Sequence, residues 1–176
     1  MPSLVSHEHK SLFIHVPRTG GTSLAYTLQD LFVPDGFETM EGQPNHLSFA
    51  EMLDQHGNRL WSYLKFMIVR NPWEQTASSL VWHRKHGDYM LSIEACCSKT
   101  LCPREIGLSQ MDMVLRFDRL QADFDTLCDR LGINRRQLQH LNEGEQFNYR
   151  EIHTEESKII VQRRFWKTIE RFGYAF

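Results

Sequence analysis

With 176 residues, 41% of them hydrophobic and 24% charged, and a formal net charge of -2, the chain has the make-up of one ordinary globular domain spanning residues 1–176. So even a charge balance argues against nucleic acid, whose footprint is a basic face, and no run approaches the roughly 18 apolar residues of an integral membrane segment. The first ten residues lack the apolar core of a signal peptide, and the four cysteines (Cys96, Cys97, Cys102 and Cys128) are too clustered for a disulfide framework, so a cytoplasmic protein is expected.

Residues 11–16 form an almost unbroken apolar run, the pattern of a strand covered on both faces in a parallel sheet. The run stops at Pro17-Arg18-Thr19-Gly20-Gly21-Thr22-Ser23. Two glycines there let the backbone turn tightly, and the first amides of the helix that follows are left without intrahelical acceptors. Leu24, Leu28, Leu31 and Phe32 recur at helical spacing until the turn signal Pro34-Asp35-Gly36. A strand, a tight loop and a helix N-terminus in that order make an anion site, and Arg18 adds a permanent charge at its crest. The loop therefore reads as a phosphate or sulfate cradle. It is not the nucleoside-triphosphate loop, because the lysine and the leading glycine of Gly-x-x-x-x-Gly-Lys-Ser/Thr are missing.

Residues 37–45 show no period and read as a loop around Gly42 and Pro44. Ser48 and Glu51 have the spacing of a capping box, which opens a helix through Gln55 and leaves His46 just outside its N-terminus. A second apolar run, 63–69, meets Arg70-Asn71-Pro72-Trp73 and passes into a helix-compatible stretch ending near His86, so a second strand-loop-helix unit follows the first. Residues 87–109 carry three cysteines, Pro103 and Gly107 without clear periodicity and read as an insertion. Residues 113–117 are a third strand, and 123–131 a helix closed by Gly132. A last helix begins near Thr154 and places Val161, Phe165, Ile169 and Phe172 on one face before Gly173. Strands alternating with helices predict an α/β fold: a mainly parallel sheet flanked by helices, with ligands at the carboxyl ends of the strands.

The stretch Phe13-Ile-His-Val-Pro-Arg-Thr-Gly-Gly-Thr-Ser-Leu24 resembles the 5′-phosphosulfate loop of the carbohydrate-type sulfotransferases. Val69-Arg-Asn-Pro-Trp-Glu-Gln-Thr-Ala-Ser78 resembles their 3′-phosphate motif, and the two occur in the right order. Shorter likenesses at Asn45-His-Leu-Ser48, Leu115-Arg-Phe-Asp118, Gln121-Ala-Asp-Phe124, His140-Leu-Asn142 and Phe172-Gly-Tyr174 extend the resemblance over most of the chain outside residues 83–112. It implies a nucleotide-kinase-like core, 3′-phosphoadenosine 5′-phosphosulfate (PAPS) as donor, 3′,5′-ADP as product, and no metal. By the same resemblance, Arg18 with the amides and hydroxyls of Thr19, Gly20, Gly21, Thr22 and Ser23 would hold the phosphosulfate, while Arg70 and Ser78 would bind the 3′-phosphate. Two positions depart from the pattern: the family usually carries lysine where Arg18 stands and often arginine where Gln75 stands.

His46 is the candidate general base, since imidazole titrates near neutral pH; without the resemblance it is a loop residue beside a helix cap. The acceptor would be a hydroxyl or amine on a carbohydrate or glycolipid-like molecule, with specificity in loops such as 83–112. A small-molecule kinase on a related core is the rival enzyme, disfavoured by the missing metal and triphosphate apparatus. A nucleotide-binding module with weak turnover is the other rival, to which Arg18 and Gln75 point. Trp73 and His15 read as core residues. His83, His86 and the clustered cysteines have irregular ligand spacing and read as surface histidines and unligated thiols. Tyr149 and Arg150 are expected to close over the nucleotide.

Overall fold

The computed structural model describes residues 3–32, 37–39, 46–103, 105–139, 141 and 147–176. The first apolar run forms β2 (Ser11–Ile14), buried along its whole length, and a hairpin turn pairs it with β1 (Leu4–Ser6). The glycines open α1 (Gly21–Phe32), and β3 (Phe37–Thr39) pairs with β1. The sheet continues from β2 into β4 (Leu64–Val69) and β5 (Met113–Arg116), giving the order β3-β1-β2-β4-β5. The strands β2, β4 and β5 run parallel, as expected, whereas β1 is antiparallel to both of its neighbours.

Strand alternation sorts the core onto the two faces of the sheet. Phe13, Phe66 and Ile68 point to the side where Leu24 and Leu28 of α1 and Phe124 and Leu127 of α5 (Leu120–Leu131) pack. Leu12, Ile14, Met67 and Val69 point to the other, against Phe49 and Met52 of α2 (Phe49–His56) and Leu108. The helix α3 (Pro72–Lys85) starts directly after β4, with Asn71 capping it and proline in its first turn. It packs with α4 (Ile93–Lys99) and α7 (Glu155–Arg164) around Trp73, Leu80, Cys96, Cys97, Val161 and Phe165.

Several expectations about local structure are met at the residue level. Ser48 and Glu51 form both halves of the capping box, and Gly132 closes α5 in the left-handed conformation at φ 69°. Three others are corrected, and one strand was not read at all. Residues 37–39, read as loop, form an edge strand; 40–45 of that loop, and the Pro34-Asp35-Gly36 turn, lie outside the described residues. The segment 4–6 is a strand too short to show a period. Residues 87–109 contain α4, whose start was marked by Ser92: its hydroxyl accepts from the amide of Ala95. The last helix is two, because the chain bends at Phe165 between α7 and α8 (Trp166–Phe172). The bend lets Val161, Phe165 and Ile169 fill the α3 cluster while Phe172 reaches the cluster on the sheet, which one straight helix face could not do.

Trp73 is buried as read, its indole N–H donating to the Lys158 carbonyl at 3.3 Å. Tyr149 and Arg150 do not stand over a cleft. They open a short helix, α6 (Tyr149–Ile152), with Tyr149 edge-on to Phe176 and the Arg150 guanidinium 4.9 Å from the Tyr149 ring.

Candidate active site

Three parallel strands end on the same edge, so the turns after β2, β4 and β5 converge there. The first turn holds Arg18 to Gly21. Thr19 is fully buried and its hydroxyl donates to the Val16 carbonyl at 2.8 Å, so this side chain builds the loop rather than facing a ligand. Gly20 has φ 87°, and a Cβ there would meet the Phe117 ring at 3.0 Å. At Gly21 a Cβ would overlap the His15 ring. The start of α1 is thus pressed onto Phe13 and His15 and onto the turn after β5, and the amides of Gly21, Thr22 and Ser23 form the helix's first turn, which has no intrahelical acceptors. The Ser23 hydroxyl is engaged by the backbone of Leu141, accepting from its amide at 3.1 Å, while Thr22 is open to the space on both sides of Arg18.

The second turn supplies Arg70. Its guanidinium donates to the Arg18 carbonyl at 3.1 Å and to the Glu74 carboxylate at 2.6 Å, and lies 4.0 Å from the centre of the Phe117 ring. Ser78 sits two turns along α3, where its hydroxyl accepts from Nε and Nη2 of Arg18 at 3.3 and 3.2 Å. The residues assigned by resemblance to opposite ends of one donor are therefore in contact with each other. Burial, then the neighbouring Arg70 charge, push the Arg18 guanidinium down from its ordinary pKa. Two guanidiniums, a serine hydroxyl and a helix N-terminus form a cationic pocket suited to a polyanion.

These groups open on a cleft of about 980 Å³, whose far wall is made by Asp118 to Ala122 and by Gln137, Leu138, Gln139 and Phe147. A second cavity, of about 540 Å³, adjoins the cleft and shares His15, Arg18 and Thr22 with it. His46 lines this second cavity together with Trp82, His83, Leu91, Lys99 and Leu101. Its Nδ1 lies 3.1 Å from the His15 carbonyl, which can only accept, so Nδ1 carries the hydrogen and Nε2 keeps a lone pair. Burial outweighs that bond and pushes the His46 pKa below its ordinary value, so the ring is neutral at neutral pH.

His15 is buried as read, yet it also forms part of both cavity walls. Gln75 is neither at the surface nor on the wall of either cavity. It is fully buried, with Nε2 donating to the carbonyls of Pro17 at 3.0 Å and Leu101 at 3.3 Å, and so ties the anion loop to the second cavity's rim. The cysteines Cys96, Cys97 and Cys102 are buried thiols between α3, α4 and α7, and burial pushes the Cys97 pKa up to about 12. Sequence reasoning missed Glu74 and Phe117, the two groups that hold Arg70. The i, i+4 spacing of Arg70 and Glu74 was a readable signal; the approach of Phe117 was not.

A sheet whose parallel strands deliver two arginine-bearing turns to one cleft defines an α/β protein with a cationic pocket at the carboxyl edge of its sheet. Residues 1–78, which include both turns, match the model of the sulfotransferase family. No curated protein and no solved structure matches the chain.

Proposed function

We propose that the protein transfers a sulfuryl group from PAPS to a hydroxyl, or an amine, of a carbohydrate or glycolipid-like acceptor. The observation that carries this reading is that two cavities meet at Arg18 and Thr22, one lined also by Arg70 and Ser78 and the other by neutral His46. A group-transfer enzyme with in-line displacement needs that layout: donor and acceptor on opposite sides of the atom that moves.

In this mechanism the larger cleft holds the donor, with the Gly21 to Ser23 amides, Arg18 and Arg70 facing its phosphates and sulfate. The bond between sulfur and the bridging oxygen breaks as a new bond forms from the acceptor oxygen or nitrogen to sulfur. The proton lost by the acceptor passes to Nε2 of His46, whose Nδ1–H stays on the His15 carbonyl. Arg18 and the helix dipole stabilise the charge that develops on the leaving phosphate. The positive charge comes from the protein, so no step asks for a metal. The second cavity takes the acceptor, and its walls include Leu91, Lys99 and Leu101 from the segment in which acceptor specificity was expected. Four buried free thiols fit a reducing compartment and hence a cytoplasmic enzyme.

Calorimetric titration tests the donor side. The protein is expected to prefer 3′,5′-ADP to ATP, and Arg70→Ala to weaken 3′,5′-ADP roughly 10- to 100-fold, the size of one charge-assisted contact, and 5′-AMP by clearly less, through the Arg18 carbonyl that Arg70 also holds. Turnover is expected to continue in EDTA. A preference for ATP with magnesium would favour the kinase reading, and equal losses for both nucleotides would remove Arg70 from the 3′-phosphate.

A further inference from the structure

The connection between α3 and α4 ends in an apolar tip that nothing in the described structure covers. Tyr89 is 73% exposed and Met90 93% exposed. The next residue, Leu91, turns inward and lines the cavity that holds His46, beside Trp82. Trp82 is itself 41% exposed and stacks on His86 with ring centres 4.2 Å apart. Apolar surface therefore runs without a break in sequence from the cavity wall to the outermost side chain.

Cations surround this strip. Arg84, Lys85 and Lys99 are exposed, and the Arg84 guanidinium donates through Nη2 to the Leu91 carbonyl at 3.3 Å, which fixes its charge beside the tip. Asp88 is the one acid between Trp82 and Ser92, in a chain whose net charge is -2. A local excess of positive charge beside protruding aromatic and aliphatic side chains is the make-up of a segment that rests in a lipid interface, where apolar groups enter the acyl boundary and cations stay at the head groups. The alternative of a protein partner fits less well. Stable protein interfaces bury about 1,200 Å² or more, which a two-residue tip does not offer, whereas a bilayer accepts single side chains.

We infer that residues 82–90 dock on an anionic lipid surface, with Tyr89 and Met90 inserted and Arg84, Lys85 and Lys99 facing the head groups. Docking in this way presents the mouth of the His46 cavity to the bilayer. This goes beyond the transfer reaction and is tested without turnover, so its failure and the failure of the proposed chemistry are separate results.

The test is co-sedimentation of the whole chain with vesicles of phosphatidylcholine alone or mixed with phosphatidylglycerol. The expected result is partition to the mixed vesicles only, weakened by added salt. Combining Tyr89→Ser with Met90→Ser should lower that partition roughly tenfold or more, since two apolar side chains are no longer buried, and Lys85→Glu should lower it as well. All three positions are exposed, so thermal melting of the variants should match the wild type. The inference is overturned if the protein ignores anionic vesicles, or if the double variant binds them as well as the wild type does. It is equally overturned if the substitutions abolish a concentration-dependent dimer in the absence of lipid, because the tip then meets a second copy.

Discussion

Arg18 and His46, the two residues assigned to the chemistry, share an unusual backbone: both are non-glycine residues at positive φ, 64° and 72°. Each such position costs on the order of 1–3 kcal/mol and persists only where neighbours over-determine it. At Arg18 those neighbours are Arg70, on its carbonyl, and Ser78, on its guanidinium; at His46 the His15 carbonyl holds the ring. Replacing His46 by asparagine, which tolerates a left-handed backbone, separates chemistry from conformation. Single-turnover rates of His46→Asn should fall roughly 10²–10⁴-fold with donor affinity nearly intact, the loss expected of a general base. Wild-type activity should rise with pH through the lowered pKa of His46, because the neutral ring is the form that accepts a proton. Near-normal rates in the variant would move the base elsewhere in the cavity. By contrast, Arg18→Ala should lose both donor affinity and rate, and Arg18→Lys should keep binding, since a point charge replaces a planar fork.

Between elements, the close approach of α1 to β2 is what builds the cradle, and Gly21 is its narrowest point. An added Cβ would fall inside contact distance of the His15 ring, and that ring cannot retreat because it lies against Phe13 on one side and His46 on the other, with centres 5.7 and 4.8 Å away. Gly21→Ala should therefore destabilise the fold by about 1–3 kcal/mol, the usual cost of overpacking, and weaken 3′,5′-ADP binding by lifting the first turn of α1 off the strand. Urea denaturation and calorimetry check the two effects. Adding His15→Ala should recover part of the stability, because the pair is in contact and its effects are not additive. Full stability and binding in Gly21→Ala alone would show that the helix has room to shift. Gln75 works at the same scale: its amide joins the loop after β2 to the chain after α4, so donor and acceptor walls share one strut.

Across the molecule, the cluster around α3 has its own pH dependence. His153 is buried, its Nε2–H donating to the Trp73 carbonyl at 2.9 Å and its Nδ1 2.9 Å from the Ser157 hydroxyl. Burial pushes its pKa down, the Trp73 carbonyl opposes this, Lys158 adds to it and Glu94 opposes it. A depressed histidine pKa means that the folded state prefers the neutral ring. Its contribution to stability is thus complete above the ordinary value of about 6.5 and is lost as pH falls from there through the lowered folded value. His46 is shifted in the same direction and steepens the loss. The urea midpoint should fall between pH 7 and pH 5, and His153→Gln should flatten that slope even where it lowers the midpoint. An unchanged slope in the variant would mean that His153 does not govern the transition.

Much of the local order followed from the sequence alone, for reasons confined to a few neighbouring residues. An apolar run stopped by glycine or proline is a strand meeting a loop, and a Ser48–Glu51 pair or a terminal Gly132 marks a helix end through bonds within one turn. The tight loop after β2, the turn that carries Arg70 and the order of the two strand-loop-helix units were legible on those grounds, and the family match covers the same stretch, 1–78. What spacing could not carry were the contacts made between segments. Strands of three residues, such as β1 and β3, owe their existence to a partner strand and show no period of their own. The bend at Phe165 depends on two separate clusters that the last helices serve together. The grip of Phe117 and Glu74 on Arg70, the Arg18–Ser78 contact and the cavity shared between His46 and Arg18 needed the sheet to bring distant turns to one edge. Sequence determined which groups were available for the chemistry; tertiary packing decided which of them meet, because distances between segments depend on how the whole core closes.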